Sequence, residues 1–149
     1  MTLVLIVDDE ESVCRALAQT LEIEDFEVLT ATNGRDALRH IEYSWPGIVI
    51  TDINMPVMDG MELLREIHTI DQDLPVTMLT GHGDISVAVD AMRAGAYDFL
   101  EKPFPTDQLL EVVQRASEKR ALTLENRRLR QEVEVQHEGG IVEERWLGG

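Results

Sequence analysis

Five short apolar segments alternate with helical patterns along this chain, and the alternation restricts the fold more than any other feature of the sequence. Strands that alternate with helices form parallel sheets, because each return of the chain takes a crossover helix. We therefore expect a five-stranded parallel sheet with helices on both faces. Asn33 and Thr106 are the expected helix N-caps. The predicted strands cover residues 3–7, 27–31, 48–51, 76–80 and 98–100, and the predicted helices cover 11–24, 34–43, 59–70, 86–94 and 106 onward.

Polar residues follow the predicted strands at their carboxyl ends, where parallel sheets bind ligands. They are three carboxylates, one hydroxyl and one ammonium: Asp8, Asp9, Asp52, Thr80 and Lys102. Two like charges about 4 Å apart repel by about 4 kcal/mol at an effective dielectric of about 20. Three carboxylates at one edge therefore require a cation besides Lys102, and an all-oxygen set suits Mg²⁺, with Mn²⁺ as the second choice.

This set of groups is suited to accepting a phosphoryl group. Asp52 is the best candidate for the nucleophile, because it ends the central strand. Lys102 and a metal would neutralise charge, which is most of what phosphoryl transfer needs. The alternative is that these acids only cap helices and line a solvated rim.

Four segments together resemble the receiver domains of two-component response regulators. The resemblance covers residues 3 to about 118, and it implies a flavodoxin-like fold, a doubly wound α/β sheet with strand order 2-1-3-4-5, and an extended C-terminal helix. Each segment alone is weakly specific, but all four in this order are highly specific. They are Val-Asp-Asp-Glu at 7–10, Asp-Ile-Asn-Met-Pro-Val-Met-Asp-Gly at 52–60, Thr-Gly at 80–81 and Lys-Pro-Phe at 102–104.

The resemblance assigns the chemistry to named residues. It implies that Asp52 accepts the phosphoryl group from a histidine kinase and that Lys102 neutralises a phosphoryl oxygen. It also implies a metal bound by Asp8, Asp9, Asp52 and the backbone carbonyl of Asn54. The domain would catalyse its own phosphorylation and dephosphorylation, without being an enzyme in the ordinary sense.

The same resemblance implies a conformational switch. Thr80 would move to the phosphoryl group, and Phe99 would turn inward, changing the face of the fourth helix, fifth strand and fifth helix. Asn54 and His82, each two residues after a key position, would tune the dephosphorylation rate. The peptide bond between Lys102 and Pro103 is expected to be cis.

The last helical pattern is long and has a partial heptad repeat. It runs from 106 to about 136, more than a typical globular helix, so part of it must leave the domain. The expected seam of a two-stranded coiled coil contains a buried-type asparagine among apolar residues: Leu122, Asn126, Leu129 and Val133. The alternative is a solitary polar helix. We interpret the basic residues nearby as solvated flanks or interchain partners: Arg120, Arg127, Arg128 and Arg130.

Further segments are similar to a subfamily of transcription activators that work with the nitrogen-type sigma factor, the C4-dicarboxylate transport regulators. They lie at 80–84, 95–99, 115–120 and 124–126. The resemblance implies a receiver over residues 1–120, a coiled-coil linker formed by a fifth helix over 106–136, and a homodimer through the linker helix and the receiver. Residues 137–149 are expected to form a tail after a break at Gly139 and Gly140. In that subfamily an AAA+ ATPase and a DNA-binding domain follow, and we expect the chain to be truncated before both.

Charge and composition exclude several classes of function. The chain has 29 acidic and 13 basic residues and a formal net charge of −16, so direct nucleic-acid binding by it is not expected. The single cysteine, Cys14, excludes an intrachain disulfide and a thiolate zinc site. The apolar run at 3–7 is too short for a signal peptide or a membrane span. We expect a cytoplasmic protein with no membrane contact.

Three other functions remain as alternatives. A flavodoxin-like FMN binder needs a hydroxyl- and glycine-rich loop where this chain has four consecutive acids, at 8–11. A haloacid-type phosphatase needs a second aspartate two residues after its nucleophile, where this chain has Asn54. A stand-alone receiver could also act as a protein-interaction module.

Overall fold

The computed structural model describes the backbone of residues 3–140 and the side chains through residue 131. Five strands alternate with five helices along the chain. The strands are β1 (Leu3–Val7), β2 (Glu27–Ala31), β3 (Gly47–Asp52), β4 (Val76–Thr80) and β5 (Asp98–Glu101). The helices are α1 (Glu11–Ile23), α2 (Gly34–Leu38), α3 (Gly60–Ile70), α4 (Ile85–Arg93) and α5 (Thr106–Gly140).

The sheet is parallel throughout, with strand order β2-β1-β3-β4-β5, as predicted. β1, β3 and β4 lie inside the sheet and are buried along nearly their whole length, because helices cover both of their faces. α2, α3 and α4 pack on one face, and α1 and α5 on the other. The order reverses between β1 and β3, which places the acidic strand ends beside each other.

α2 is shorter than predicted. It ends at Leu38, and the backbone N–H groups of residues 39–41 bond to carbonyls three residues earlier, in a tighter turn. Asn33 caps this helix as expected, since its side chain accepts a bond from the backbone of Asp36 at 2.8 Å. Further along, Ser44 adopts a left-handed φ of 65°, and Trp45 is buried in the core that α2 and α3 share.

α5 has 35 residues and extends about 52 Å at 1.5 Å per residue. Thr106 is not its N-cap but its first helical residue, since the carbonyl of Pro105 accepts the first helical N–H bonds. The backbone stays helical through Gly139 and Gly140, where a break was predicted. Among residues 3–140, no helix is both long enough and apolar enough to cross a membrane.

Two arginines of α5 contradict the interpretation as solvated flanks or interchain partners. Arg120 is 2% exposed, and Arg127 is largely covered; both bond to Asp71 of the same chain. Arg128 and Arg130 are exposed as predicted, and Arg128 pairs with Glu125. The prediction failed because the partner, Asp71, lies about fifty residues away in sequence at a bend after α3.

Candidate functional site

Three carboxylates converge at the carboxyl edge, the edge of the sheet where the strands end. Asp8 and Asp9 follow β1, and Asp52 is the last residue of β3. One carboxylate oxygen from each lies within 4.8 Å of the others. Asp8 is fully buried, Asp52 is half-buried and Asp9 is exposed, so this acidic cluster opens to solvent on one side. The structure brings together the acids that the strand pattern placed at one edge.

One cation reaches the acidic cluster among the described residues. The Nζ of Lys102 lies 3.4 Å from Oδ2 of Asp8 and 3.6 Å from Oδ1 of Asp52. Lys102 directly follows β5, which ends at Glu101, and the Lys102–Pro103 peptide bond is cis. Lys102 also donates its backbone N–H to the carbonyl of Thr80 at 2.8 Å. The lysine therefore reaches Asp8 and Asp52 from the end of β5, although β4 lies between β5 and β3.

The cluster is short of positive charge. Burial raises the pKa of Asp52 above its ordinary value; Lys102 acts against this, and the nearby charge of Asp8 adds to it. The donor set passes the test for a hard divalent cation, because the carboxylate oxygens already converge and one ammonium cannot neutralise them. Asp8, Asp9 and Asp52 are the residues that would hold such an ion.

The loop between β3 and α3 fixes the orientation of Asp52. The Oδ1 of Asp52 accepts the backbone N–H of Ile53 at 2.9 Å, and the N–H of Gly60 bonds to the carbonyl of Ile53 at 2.8 Å. A side chain at Gly60 would collide with the backbone of Asp52 and Ile53, so this position requires glycine. Asn54, predicted as a metal ligand through its carbonyl and as a rate-tuning residue, lies exposed in this loop.

Two further features of that loop were not predicted. Asp59 and Glu62 form a capping box at the start of α3, with 2.9 Å between Oδ1 of Asp59 and the backbone nitrogen of Glu62. Val57 has a φ of 72°, a strained conformation for a β-branched residue, and it is exposed. The spacing of Asp59 and Glu62 is a capping-box signal that the sequence did contain.

Thr80 and Phe99, the two predicted switch residues, lie on neighbouring strands. The hydroxyl of Thr80 is buried and donates to the carbonyl of Leu100 at 3.4 Å, not to Asp52. Phe99 is 38% exposed. The hydroxyl is thus on the correct edge but is engaged elsewhere, and the aromatic ring still contacts solvent.

His82 lies in the loop after β4, and its side chain is 84% exposed. Its Nδ1 is 4.0 Å from a carboxylate oxygen of Glu101, and the backbone N–H of Gly83 donates to that carboxylate at 2.8 Å. Sequence reasoning missed Glu101. Only the pairing of β4 with β5 brings it to this loop, and no local motif marks it.

The predicted coiled-coil seam lies along the outer side of α5. Leu122 is 71% exposed, Leu129 is 46% exposed, and Asn126 is exposed between them. The side chain of Val133 lies outside the described residues. We call Leu122, Asn126 and Leu129 the outer stripe.

Comparison with known proteins places the chain in a family. A family model described as response regulator receiver domain matches residues 4–114. The C4-dicarboxylate transport transcriptional regulatory protein DctD of Pseudomonas aeruginosa is 53% identical over 137 residues, 92% of this chain. DctD of Rhizobium meliloti is 46% identical over 136 residues, 91% of this chain. The chain spans only 30% of the length of either relative.

Solved structures give the same result. A response regulator receiver domain protein from Clostridium thermocellum superposes with a TM-score of 0.73 at 35% identity, over 83% of this chain and 99% of that one. NtrX from Brucella abortus, in complex with ATP, gives a TM-score of 0.74 at 40% identity, over 85% of this chain and 29% of that one. With its acidic cluster, lysine and strand order, the chain belongs to the response regulator receiver domain family.

Proposed function

We propose that Asp52 accepts a phosphoryl group and that the receiver uses it to signal through α5. The observation that carries this proposal is the acidic cluster with Lys102: three converging carboxylates and one ammonium at the carboxyl edge. A carboxylate oxygen of Asp52 attacks the phosphorus of a phosphohistidine, and the P–N bond breaks. The ring nitrogen keeps the electron pair of that bond and takes a proton from water, so it leaves as neutral imidazole. Hydrolysis of the acyl phosphate returns the carboxylate and releases phosphate.

Each neighbouring residue has a role in this proposal. Lys102, 3.6 Å from Asp52, pairs with the negative charge of the transferred group. Asp8, Asp9 and the backbone carbonyl of Asn54 would join Asp52 in holding Mg²⁺, or Mn²⁺ in its place. When bound, the ion neutralises phosphoryl oxygens. Asn54 and His82 are the two positions proposed to tune the lifetime of the phosphoryl group, because each lies two residues after a reacting residue, Asp52 or Thr80, and its side chain is exposed.

Thr80 and Phe99 are proposed to change conformation when Asp52 is phosphorylated. Phosphorylation adds about −1.5 to −2 charges at the carboxyl edge. The Thr80 hydroxyl would leave the Leu100 carbonyl and donate to a phosphoryl oxygen, drawing the loop after β4 inward. Phe99 would then bury its exposed ring. Because phenylalanine has no hydroxyl group, burial alone would stabilise the inward position. This changes the face formed by α4, β5 and α5.

The partners follow from the subfamily similarity and from α5. We propose a cognate sensor histidine kinase as phosphoryl donor and a homodimer held by the outer stripe with Val133. In a parallel pairing at this register, Glu125 would face Arg130 of the second copy, an attractive g-to-e′ pair. In a longer protein like DctD, this dimer would control a following AAA+ ATPase. The histidine kinase partner and the single buried cysteine fit a cytoplasmic location.

Labelling with acetyl phosphate and Mg²⁺ tests the proposal. The wild-type chain should gain the mass of one phosphoryl group, and Asp52→Asn should gain none. Asp107→Asn is the matched control, because this exposed carboxylate at the start of α5 has the same charge and lies outside the cluster. Retained stoichiometric labelling of Asp52→Asn would falsify the assignment. If the wild-type chain gains no phosphoryl group but still changes its oligomeric state when acetyl phosphate and Mg²⁺ are added, a protein-interaction module would be favoured over a phosphoacceptor.

A further inference from the structure

A second charged site lies at the amino edge, the opposite edge of the sheet, where the strands begin. Asp71 follows α3, and its side chain is fully buried. Its two oxygens accept five hydrogen bonds. The backbone N–H groups of Ser44 and Asp73 donate at 3.0 and 3.1 Å. Three donor nitrogens of Arg120 and Arg127 each donate at 2.8 Å.

Both arginines belong to α5 beyond the last residues that pack in the core. Arg120 is itself buried, and its Nε and Nη2 donate to the carbonyl of Trp45 at 3.0 and 2.9 Å. Arg127 lies one heptad further on. It bonds to Ser44 Oγ at 2.8 Å, and its guanidinium lies 4.4 Å from the ring centre of Tyr43. Two turns of the extended helix are thus attached to the receiver.

These contacts differ from ordinary surface ion pairs. An exposed pair contributes between zero and about 1 kcal/mol, whereas a buried carboxylate that bonds two guanidinium groups loses much more when one partner is removed. The arginines hold the pKa of Asp71 well below its usual range. Ser44 adopts its left-handed φ of 65° at this site. Its backbone N–H donates to Asp71, and its hydroxyl oxygen accepts from Arg127.

The attachment also determines which side of α5 faces outward. Arg120 and Arg127 are seven residues apart and share one side of the helix. Leu129 lies nine residues after Arg120, which at 100° per residue is about 180° around the helix. Leu122 and Leu129 therefore lie on the side of α5 that faces away from both arginines, and they are 71% and 46% exposed. Asn126 lies about 100° around the helix from Arg127.

We propose that Asp71, Arg120 and Arg127 form a clamp that fixes α5 on its own receiver and so selects the outer stripe as the surface that pairs with a second copy of this chain. The clamp goes beyond the phosphoacceptor function and does not depend on it, whereas the pairing with a second copy rests on the proposed homodimer. Outside the clamp, the Lys119 ammonium lies 5.4 Å from the Tyr97 ring centre, and one such contact alone would hold a polar helix only weakly in one orientation.

Hydrogen exchange of the whole chain tests the attachment. Asp71→Asn should speed exchange of the amides in 121–130 by about tenfold or more, while the amides of β1 and β3 keep their protection. Asp73→Asn is the matched control, since this exposed residue also bonds to Arg127, at 3.0 Å, and carries the same charge. If Asp71→Asn fails to fold, Arg127→Gln replaces it, because Arg127 is only partly buried and Arg120 keeps its bond to Asp71.

Interchain cysteine cross-linking tests the selected surface. Leu129→Cys places a thiol on the outer stripe, and Gln131→Cys places one about 20° from Arg120, on the attached side. In the wild-type background, Leu129→Cys should cross-link about tenfold more than Gln131→Cys, and adding Asp71→Asn should bring the two yields close together. Three outcomes would overturn the proposal. They are equal cross-linking yields of the two cysteine variants in the wild-type background, a ratio of the two yields that Asp71→Asn leaves unchanged, and no cross-link at either position. Acetyl phosphate labelling of Asp71→Asn should match that of wild type, so failure of the clamp and failure of the phosphoacceptor assignment are distinguishable.

Discussion

The aspartates at the two edges of the sheet lie in opposite electrostatic surroundings. At the carboxyl edge, three carboxylates share one lysine, and burial raises the pKa of Asp52. At the amino edge, one buried carboxylate receives two arginines, which lower the pKa of Asp71. A cluster with unneutralised charge is one that a cation and a phosphoryl group can complete. At the amino edge Asp73 supplies a second carboxylate to Arg127, so the charges balance, and such a site holds the structure together. Within one small domain, the carboxyl edge is therefore suited to chemistry, and the amino edge attaches α5 to the receiver.

The largest expected effect is at the carboxyl edge. Lys102→Gln should slow acetyl phosphate labelling of Asp52 by about 10²–10³-fold, the usual loss when one group that stabilises a transition-state charge is removed. The control is Lys119→Gln, since Lys119 is the only other lysine and lies over the Tyr97 ring, away from the cluster. Labelling rates measured by intact mass should separate the two variants. Equal rates would remove Lys102 from the mechanism.

At the amino edge the effect should be on stability. Asp71→Asn should lower the free energy of unfolding by about 3 kcal/mol, because it leaves two arginines without their shared carboxylate. Asp73→Asn should cost less than about 1 kcal/mol. Urea unfolding measures both, and similar losses would mean that Asp71 acts as an ordinary surface acid.

The pH dependence of the stability loss in Asp71→Asn follows from the lowered pKa of Asp71. A carboxylate whose folded pKa is depressed stabilises the protein above the unfolded pKa, about 3.9, and the stabilisation disappears as the pH falls through the folded value. The gap between wild type and Asp71→Asn should therefore be constant from about pH 7 to about pH 5 and shrink below about pH 4.

Mg²⁺ should stabilise the carboxyl edge alone. At a concentration about 100 times its dissociation constant, a ligand specific to the folded state adds about 2.7 kcal/mol. Wild type and Asp71→Asn should gain alike, whereas Asp8→Asn should gain much less, since it removes the buried member of the cluster. Thermal unfolding with and without Mg²⁺ measures the gain, and an equal gain in Asp8→Asn would place the ion elsewhere.

The smallest effect has the opposite sign to that of Asp71→Asn. Without divalent cations, Asp52→Asn should raise the free energy of unfolding by on the order of 1 kcal/mol at neutral pH, because it removes a like charge from the cluster. Since the folded pKa of Asp52 is raised, wild-type stability falls as the pH rises through it, and the gap between variant and wild type should widen over the same range. Urea unfolding at several pH values measures this, and a destabilised Asp52→Asn would contradict it.

The sequence predicts the carboxyl edge well and the amino edge poorly. β1, β2 and β4 have the predicted bounds, because apolar runs and turn residues are local signals. One topological rule then places the residues after those strands together. Asp71 and its arginines follow no such rule, since the clamp joins a helix end to side chains 49 and 56 residues later. The one available signal was the seven-residue spacing of Arg120 and Arg127, which places them together on a side of α5 that faces away from Leu122 and Leu129.

The most direct test of the central claim locates the phosphoryl group on the chain. After reaction with acetyl phosphate and Mg²⁺, reduction with borohydride converts an acyl phosphate to an alcohol at the modified residue, and peptide mass spectrometry identifies its position. The account predicts a reduced side chain at position 52 in wild type and in Asp71→Asn, and at no other acid. Modification at Asp8, Asp9 or any residue other than Asp52 would contradict it.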